Sequence, residues 1–197
     1  MGVLMIRAEY QAKDLDSKTW KDFETLFNKY GGVQAGCWCM YYHRTGGSPG
    51  KTQEERTERN HRDIRGLVFT GRNRSVIIYH DGKAIASAQY GTSEELPRPG
   101  NGRNYRGLNL PEAKKRLWRI TCFFVDKQYR RKGVSSFALD EILKRIKSQG
   151  GGIVEAFPVT NFKAVSVWFG LISMYRERGF QTVAQLGRST LLVRKEI

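Results

Sequence analysis

One change of hydrophobic period, between residues 117 and 146, constrains this chain more than any other feature. Leu117 to Val125 reads LWRITCFFV, a run of aromatic and β-branched side chains of the kind that fills a buried strand. From Val134 the spacing becomes helical. Phe137, Ala138, Leu139, Ile142, Leu143 and Ile146 form one broad stripe, with Asp140 to Lys144 and Glu141 to Arg145 as i,i+4 pairs on the other side. A strand therefore feeds a helix through a basic turn.

Gly133 in that turn permits positive φ and lets a ligand approach the backbone, and Ser135 keeps the first helical turn small. The free N–H groups of the turn, the positive end of the helix dipole, and Arg130, Arg131 and Lys132 all address one region. A pyrophosphate suits it. The turn carries one glycine, which excludes a Gly-x-Gly-x-x-Gly dinucleotide fingerprint. The nearest approach to a P-loop, Gly50-Lys51-Thr52, has Thr45 where the first glycine belongs and no apolar strand before it, so it reads as a loop.

Arg130, Gly133 and Ser135 spell Arg-x-x-Gly-x-Ser after a strand ending in Val125, and Tyr175-Arg176-Glu177-Arg178-Gly179-Phe180 follows downstream. The pair resembles the Gln/Arg-x-x-Gly-x-Gly/Ala signature and the Tyr-x-x-x-Gly-Phe element of the GCN5-related N-acetyltransferase (GNAT) superfamily, with Ser135 in place of the usual Gly or Ala. The resemblance spans roughly residues 75–197. It implies an α/β fold with a mixed, mostly antiparallel central sheet flanked by helices, in the order β-α-α-β-β-β-α-β-α-β-β. It also implies an acetyl group moved from acetyl-CoA, a co-substrate, to an amine by direct attack in a ternary complex. Arg130, Arg131, Lys132, Gly133, Val134 and Ser135 would then hold the pyrophosphate, with the pantetheine arm alongside Phe123, Phe124 and Val125. A backbone N–H near Val125 would face the oxyanion, and Tyr175 would protonate the leaving thiolate or, failing that, anchor its helix to the sheet.

One acid and one thiol are weighed on their own chemistry. Glu155 sits inside an otherwise apolar strand, where burial needs a reason: it is either a general base or the partner of a buried arginine such as Arg119. Cys122 lacks an adjacent base in sequence and reads as a core cysteine.

Composition bounds the alternatives. A chain of 197 residues with 40% hydrophobic content suits one domain, residues 1–197, with a full core. No apolar run is long enough to span a membrane, residues 3–6 are too short for a signal-peptide core, and Ile6 spoils a myristoylation motif. Three cysteines, Cys37, Cys39 and Cys122, cannot all pair. A cytoplasmic protein is expected. The net charge of +15 concentrates in residues 101–150, where thirteen Lys or Arg face four acids. That favours an anionic ligand, and it also supports a rival nucleic-acid-binding reading for which no motif is present. An acyl-CoA-binding protein without turnover is the third reading. The acceptor is left open, and so is a homodimer.

Along the chain, residues 4–10 are expected as a first strand, and a helix capped by Asp16 as running to about Lys29 with Trp20, Phe23, Leu26, Phe27 and Tyr30 on its apolar face. The stretch Cys37-Trp38-Cys39-Met40-Tyr41-Tyr42-His43 offers too few ligands for a zinc site, so no metal is expected; Trp38, Cys39 and Tyr41 are read as a wall of the substrate channel. Thr52 and Glu55 make a capping box for a second helix reaching about Phe69, either over the substrate entrance or simply solvated. Asp81-Gly82 signals a hairpin between strands at 75–80 and 83–90. Residues 92–111 read as a disordered or substrate loop. A strand is expected at 153–157, stopped by Pro158, then a helix regular from about Leu171 within 162–178, and strands at 181–184 and 190–194.

Overall fold

The computed structural model describes residues 10–47, 49–161 and 167–197. Seven strands form one sheet in the order β1-β2-β3-β4-β5-β7-β6. They are β1 (Tyr10–Asp14), β2 (Ser75–His80), β3 (Lys83–Thr92), β4 (Leu117–Val125), β5 (Ile153–Ala156), β6 (Gln181–Gln185) and β7 (Leu191–Glu196). Only β4 and β5 run parallel; every other neighbour is antiparallel. The first strand begins where the expected one ends, and residues 4–9 lie outside the described residues.

Both faces of the sheet are covered, which is why β2 is apolar almost throughout. Val76 and Ile78 point into one core beneath the helix α5 (Val134–Ser148), and Ile77 and Tyr79 point into the other, beneath α1 (Trp20–Asn28) and α2 (Gln53–Phe69). β4 divides its aromatics the same way, with Phe123 on the α5 side and Phe124 against Phe27 and Tyr30. On α5, Ala138, Leu139, Ile142 and Ile146 are almost completely buried, each isoleucine worth about 2 kcal/mol of removed apolar area.

Local signals decide the ends. Asp81 and Gly82 both take positive φ, as a two-residue hairpin turn demands. Thr52 and Glu55 close the capping box of α2. Asp16 does not cap α1 directly; its carboxylate bonds the N–H groups of Lys18 and Thr19 in a turn that precedes the helix. Glu141 pairs with Arg145 as expected, but Asp140 turns from Lys144 to Arg178, whose fork grips both carboxylate oxygens at 2.5 and 2.9 Å. A bidentate guanidinium outcompetes a single ammonium.

The segment expected as a loop, 92–111, folds into two helical turns, α3 (Arg98–Asn101) and α4 (Arg103–Arg106). Buried polar side chains pin it. Arg119 of β4 donates to the carbonyls of Ser93 and Leu96, and the Tyr105 hydroxyl donates to Glu155 at 2.7 Å. Register places Arg119, Glu155 and Arg194 side by side across β4, β5 and β7. Of the expected helix in 162–178 the described part is short, α6 (Ile172–Arg176), and residues 162–166 lie outside the described residues.

Because Glu155 is fully buried and paired with two arginines, removing it leaves Arg119 an uncompensated buried cation beside the partly exposed Arg194. Glu155→Ala is expected to lose about 3–5 kcal/mol of stability in urea unfolding. A loss under about 1 kcal/mol, the range of an exposed pair, would show that the ladder is not the sheet's charge anchor.

Candidate active site

Pairing between β4 and β5 runs from Leu117 opposite Ile153 to Ile120 opposite Ala156, and then stops. Pro158 has no N–H to donate, and Val159 bridges to Leu171 and Thr190 instead. β4 continues to Val125 against β3 alone, through a register shift that leaves Thr121 without an opposite residue. The other edge of residues 121–125 thus has no strand partner among the described residues. Backbone donors and acceptors on such an edge suit an extended ligand.

That edge leads straight into the basic turn. Asp126 accepts from the Gln128 N–H and pairs with Lys29 at 2.7 Å; burial opposes its ionised form, but these partners win and hold its pKa below the usual value. Arg130 folds back to donate to the Val125 carbonyl, Arg131 takes φ 61° and Gly133 φ 80°. No side chain caps α5, so its first N–H groups face outward beside Arg130, Arg131 and Lys132, which are exposed and form no ion pair among the described residues. Val134 is different: its side chain is in the core, and only its backbone addresses the turn.

Tyr175 lies fully buried on α6, its hydroxyl donating to the Phe169 carbonyl at 2.9 Å. Burial drives its phenol pKa far above the ordinary range, so it stays protonated. Glu155 has the arginine partner that its burial called for, with Arg119 at 3.3 Å and Arg194 at 2.7 Å in addition to Tyr105. Its oxygens are occupied.

The Cys37–His43 stretch divides. Tyr41, half exposed, borders a cleft, whereas Trp38 and Cys39 do not: they pack into the α1–α2 core, Trp38 against Phe27 and His61. Aromatic bulk drew Trp38 inward, at the cost of left-handed backbone at both Trp38 and Cys39. His43 sits with Nδ1 2.9 Å from the Glu95 carbonyl and Nε2 3.1 Å from the Gln89 amide nitrogen, and burial lowers its pKa. A carbonyl only accepts, so Nδ1 carries the proton of a neutral ring. The same Gln89 donates to the Cys39 carbonyl and accepts from Thr121, tying this stretch to the β4 irregularity. Cys39 is hydrogen-bonded to Cys122, and that bond with burial raises its pKa. Among the described residues no three His, Cys, Asp or Glu side chains are grouped to hold a metal ion.

The cleft, about 310 Å³, opens where β5 leaves β4. Tyr41, Tyr42, Arg98, Phe157, Phe169 and Leu186 are among its walls. Phe169 joins it to Tyr175. Sequence reasoning missed Tyr42, Arg98 and Phe169, which come from three segments separated along the chain. Only the density of aromatics near residues 41 and 168 hinted at them.

A family model described as the acetyltransferase (GNAT) family matches residues 37–180. No curated protein sequence matches the chain. Among solved structures, the chain resembles the PaiA N-acetyltransferase of Thermoplasma acidophilum in complex with coenzyme A, at 15% identity and TM-score 0.55 over 95% of this chain and 99% of that one. It also resembles a ribosomal-protein-alanine N-acetyltransferase from Brucella melitensis, at 14% identity and TM-score 0.54 over 95% and 99%. A third, an N-acetyltransferase from Staphylococcus aureus Mu50, gives 12% and 0.53 over 95% and 97%. At these identities the likeness is one of fold.

Burial pushes the Cys37 thiol up to about 11. Its alkylation by iodoacetamide, read by mass spectrometry, is therefore expected to keep rising about tenfold per pH unit well past pH 9, where an ordinary cysteine levels off. A plateau near pH 8.5 would show an ordinary thiol.

Proposed function

We propose, on the premise that the chain belongs to the GNAT family of acetyltransferases, that it transfers an acetyl group from acetyl-CoA to an amine bound in the aromatic cleft. The observation that carries this reading is the unpaired edge of β4 running directly into the glycine turn and the uncapped start of α5. An extended thioester arm and a pyrophosphate need those two features end to end.

Each step falls to a group of this chain. The backbone of Phe123, Phe124 and Val125 bonds the pantetheine arm, since both phenylalanine side chains are committed to the cores. The first N–H groups of α5 and the cations Arg130, Arg131 and Lys132 hold the pyrophosphate. A backbone N–H near Val125 bonds the thioester oxygen as negative charge develops on it. The amine nitrogen bonds to the carbonyl carbon, the C–S bond breaks, and Tyr175 gives its proton to the sulfur, its O–H turning from the Phe169 carbonyl; the acetylated nitrogen then releases its extra proton to water, and Tyr175 is reprotonated from water.

Glu155, held between Arg119 and Arg194, keeps the splay in shape. The acceptor supplies its own free amine: a cleft bearing Arg98 and apolar rings disfavours ammonium, so the proton leaves to water before attack. Cys122 has no adjacent base in the sequence to make it an acyl carrier, which supports direct transfer.

Calorimetric titration with acetyl-CoA tests the cofactor half. Wild type is expected to bind, and Gly133→Asp, which places a carboxylate among the phosphate contacts, to weaken binding about a hundredfold. Equal binding by both would move the pyrophosphate elsewhere. Tyr175→Phe is expected to lower kcat about a hundredfold with acetyl-CoA affinity unchanged. Undiminished kcat would remove it as the acid. The ascending limb of kcat/KM against pH is expected to follow the acceptor's own amine and to keep its position in Glu155→Gln; a limb lost in that variant would restore Glu155 as the base.

A further inference from the structure

The cleft has a chemistry that narrows the acceptor, and the inference rests on the acetyl-transfer reading above. Its rings touch in series: Tyr41 stands edge-on to Tyr42 at 5.0 Å, Tyr42 lies 5.6 Å from Phe169, and Phe169 lies 5.8 Å from Phe157. Arg98 closes the rim, its guanidinium 4.0 Å over the Tyr41 ring. The Arg98 Nε donates to the Tyr41 carbonyl and another of its nitrogens to the Gly46 carbonyl, which fixes the cation in place. It has no carboxylate partner among the described residues. Among the described residues no Asp or Glu lines the cleft, and residues 162–166, which precede Phe169 in sequence, contain none. Glu155, two residues before Phe157, is spent on its arginines.

Such a wall sorts amines by what else they carry. An acceptor with several ammonium groups would have to bury them against Arg98 with no carboxylate to offset the loss of water. A flat ring gains from stacking on the aromatic walls, and an anionic group gains a charge-assisted bond to a guanidinium already held in position. The volume is at the low end of small-molecule pockets. We propose that the acceptor is a small amine bearing both an aromatic ring and a carboxylate, as in an aromatic amino acid.

The test is thiol release from acetyl-CoA with four acceptors: phenylalanine, phenethylamine, alanine and spermidine. Phenylalanine is expected to exceed phenethylamine, which lacks the carboxylate, in kcat/KM by about ten- to a hundredfold, and to exceed alanine, which lacks the ring. Arg98→Gln should bring the phenylalanine-to-phenethylamine ratio close to unity while Arg98→Lys keeps part of it. Leu186→Glu, which sets a carboxylate in the cleft without touching Arg98, should shift preference toward spermidine. Preference for spermidine or alanine in the wild type, a ratio unmoved by Arg98→Gln in protein that still binds acetyl-CoA, or no turnover of any acceptor by protein that binds acetyl-CoA would each overturn the assignment. If Arg98→Gln fails to fold, the Leu186→Glu shift decides. Should the wild type fail to bind acetyl-CoA in the calorimeter, the acetyl-transfer reading falls and takes this one with it; binding with the wrong preference removes the acceptor class alone.

Discussion

Everything at the centre of this molecule depends on one buried carboxylate shared by two guanidiniums. Glu155 of β5 stands between Arg119 of β4 and Arg194 of β7, with the Tyr105 hydroxyl completing its coordination. A buried pair of this kind adds little stability over well-packed apolar residues, but it tolerates only one arrangement, because any slip in register strands a charge in the core. The ladder therefore fixes how far β4 and β5 run together before they part. It also reaches outward: Arg119 binds the carbonyls of Ser93 and Leu96, and Tyr105 comes from α4, so the connection that carries Arg98 is fastened to the same point.

The parting of β4 and β5 creates two different environments from one geometric event. On the β4 side, backbone groups lose their partners and present a polar edge that continues into the basic glycine turn. On the β5 side, Phe157 leaves the sheet to meet Phe169, which in turn meets Tyr42, giving an aromatic cleft. Tyr175 lies between them through its bond to the Phe169 carbonyl. An unpaired backbone edge and a shaped aromatic wall thus meet at one opening, as the proposed donor and acceptor would require.

Local chemistry was legible wherever a residue's role is set by its immediate neighbours in the chain. The capping box at Thr52, the hairpin at Asp81-Gly82, the strand-to-helix change of period around Gly133 and the apolar stripe of α5 are all written in short-range spacing, and each forms as read. Tertiary competition overruled the reading elsewhere. Asp140 left its i,i+4 lysine for Arg178, and residues 92–111, rich in Gly, Pro and Asn, took helical turns because buried partners on β4 and β5 hold them down. Trp38 shows the same limit: an aromatic in an odd motif looks functional in one dimension, and only packing against Phe27 and His61 tells that it is core.

The sequence by itself determined the GNAT architecture and the basic glycine turn, since a strand, a glycine at positive φ and an amphipathic helix need nothing beyond their own order to define one another. Tertiary structure alone decided the aromatic cleft. Tyr42, Arg98 and Phe169 lie far apart along the chain and share no period or motif, and the sign of charge at a cleft depends on which arginines have already found a carboxylate. Arg119 and Arg194 have found Glu155, and among the described residues Arg98 has found only carbonyls and a ring. That accounting exists only in three dimensions.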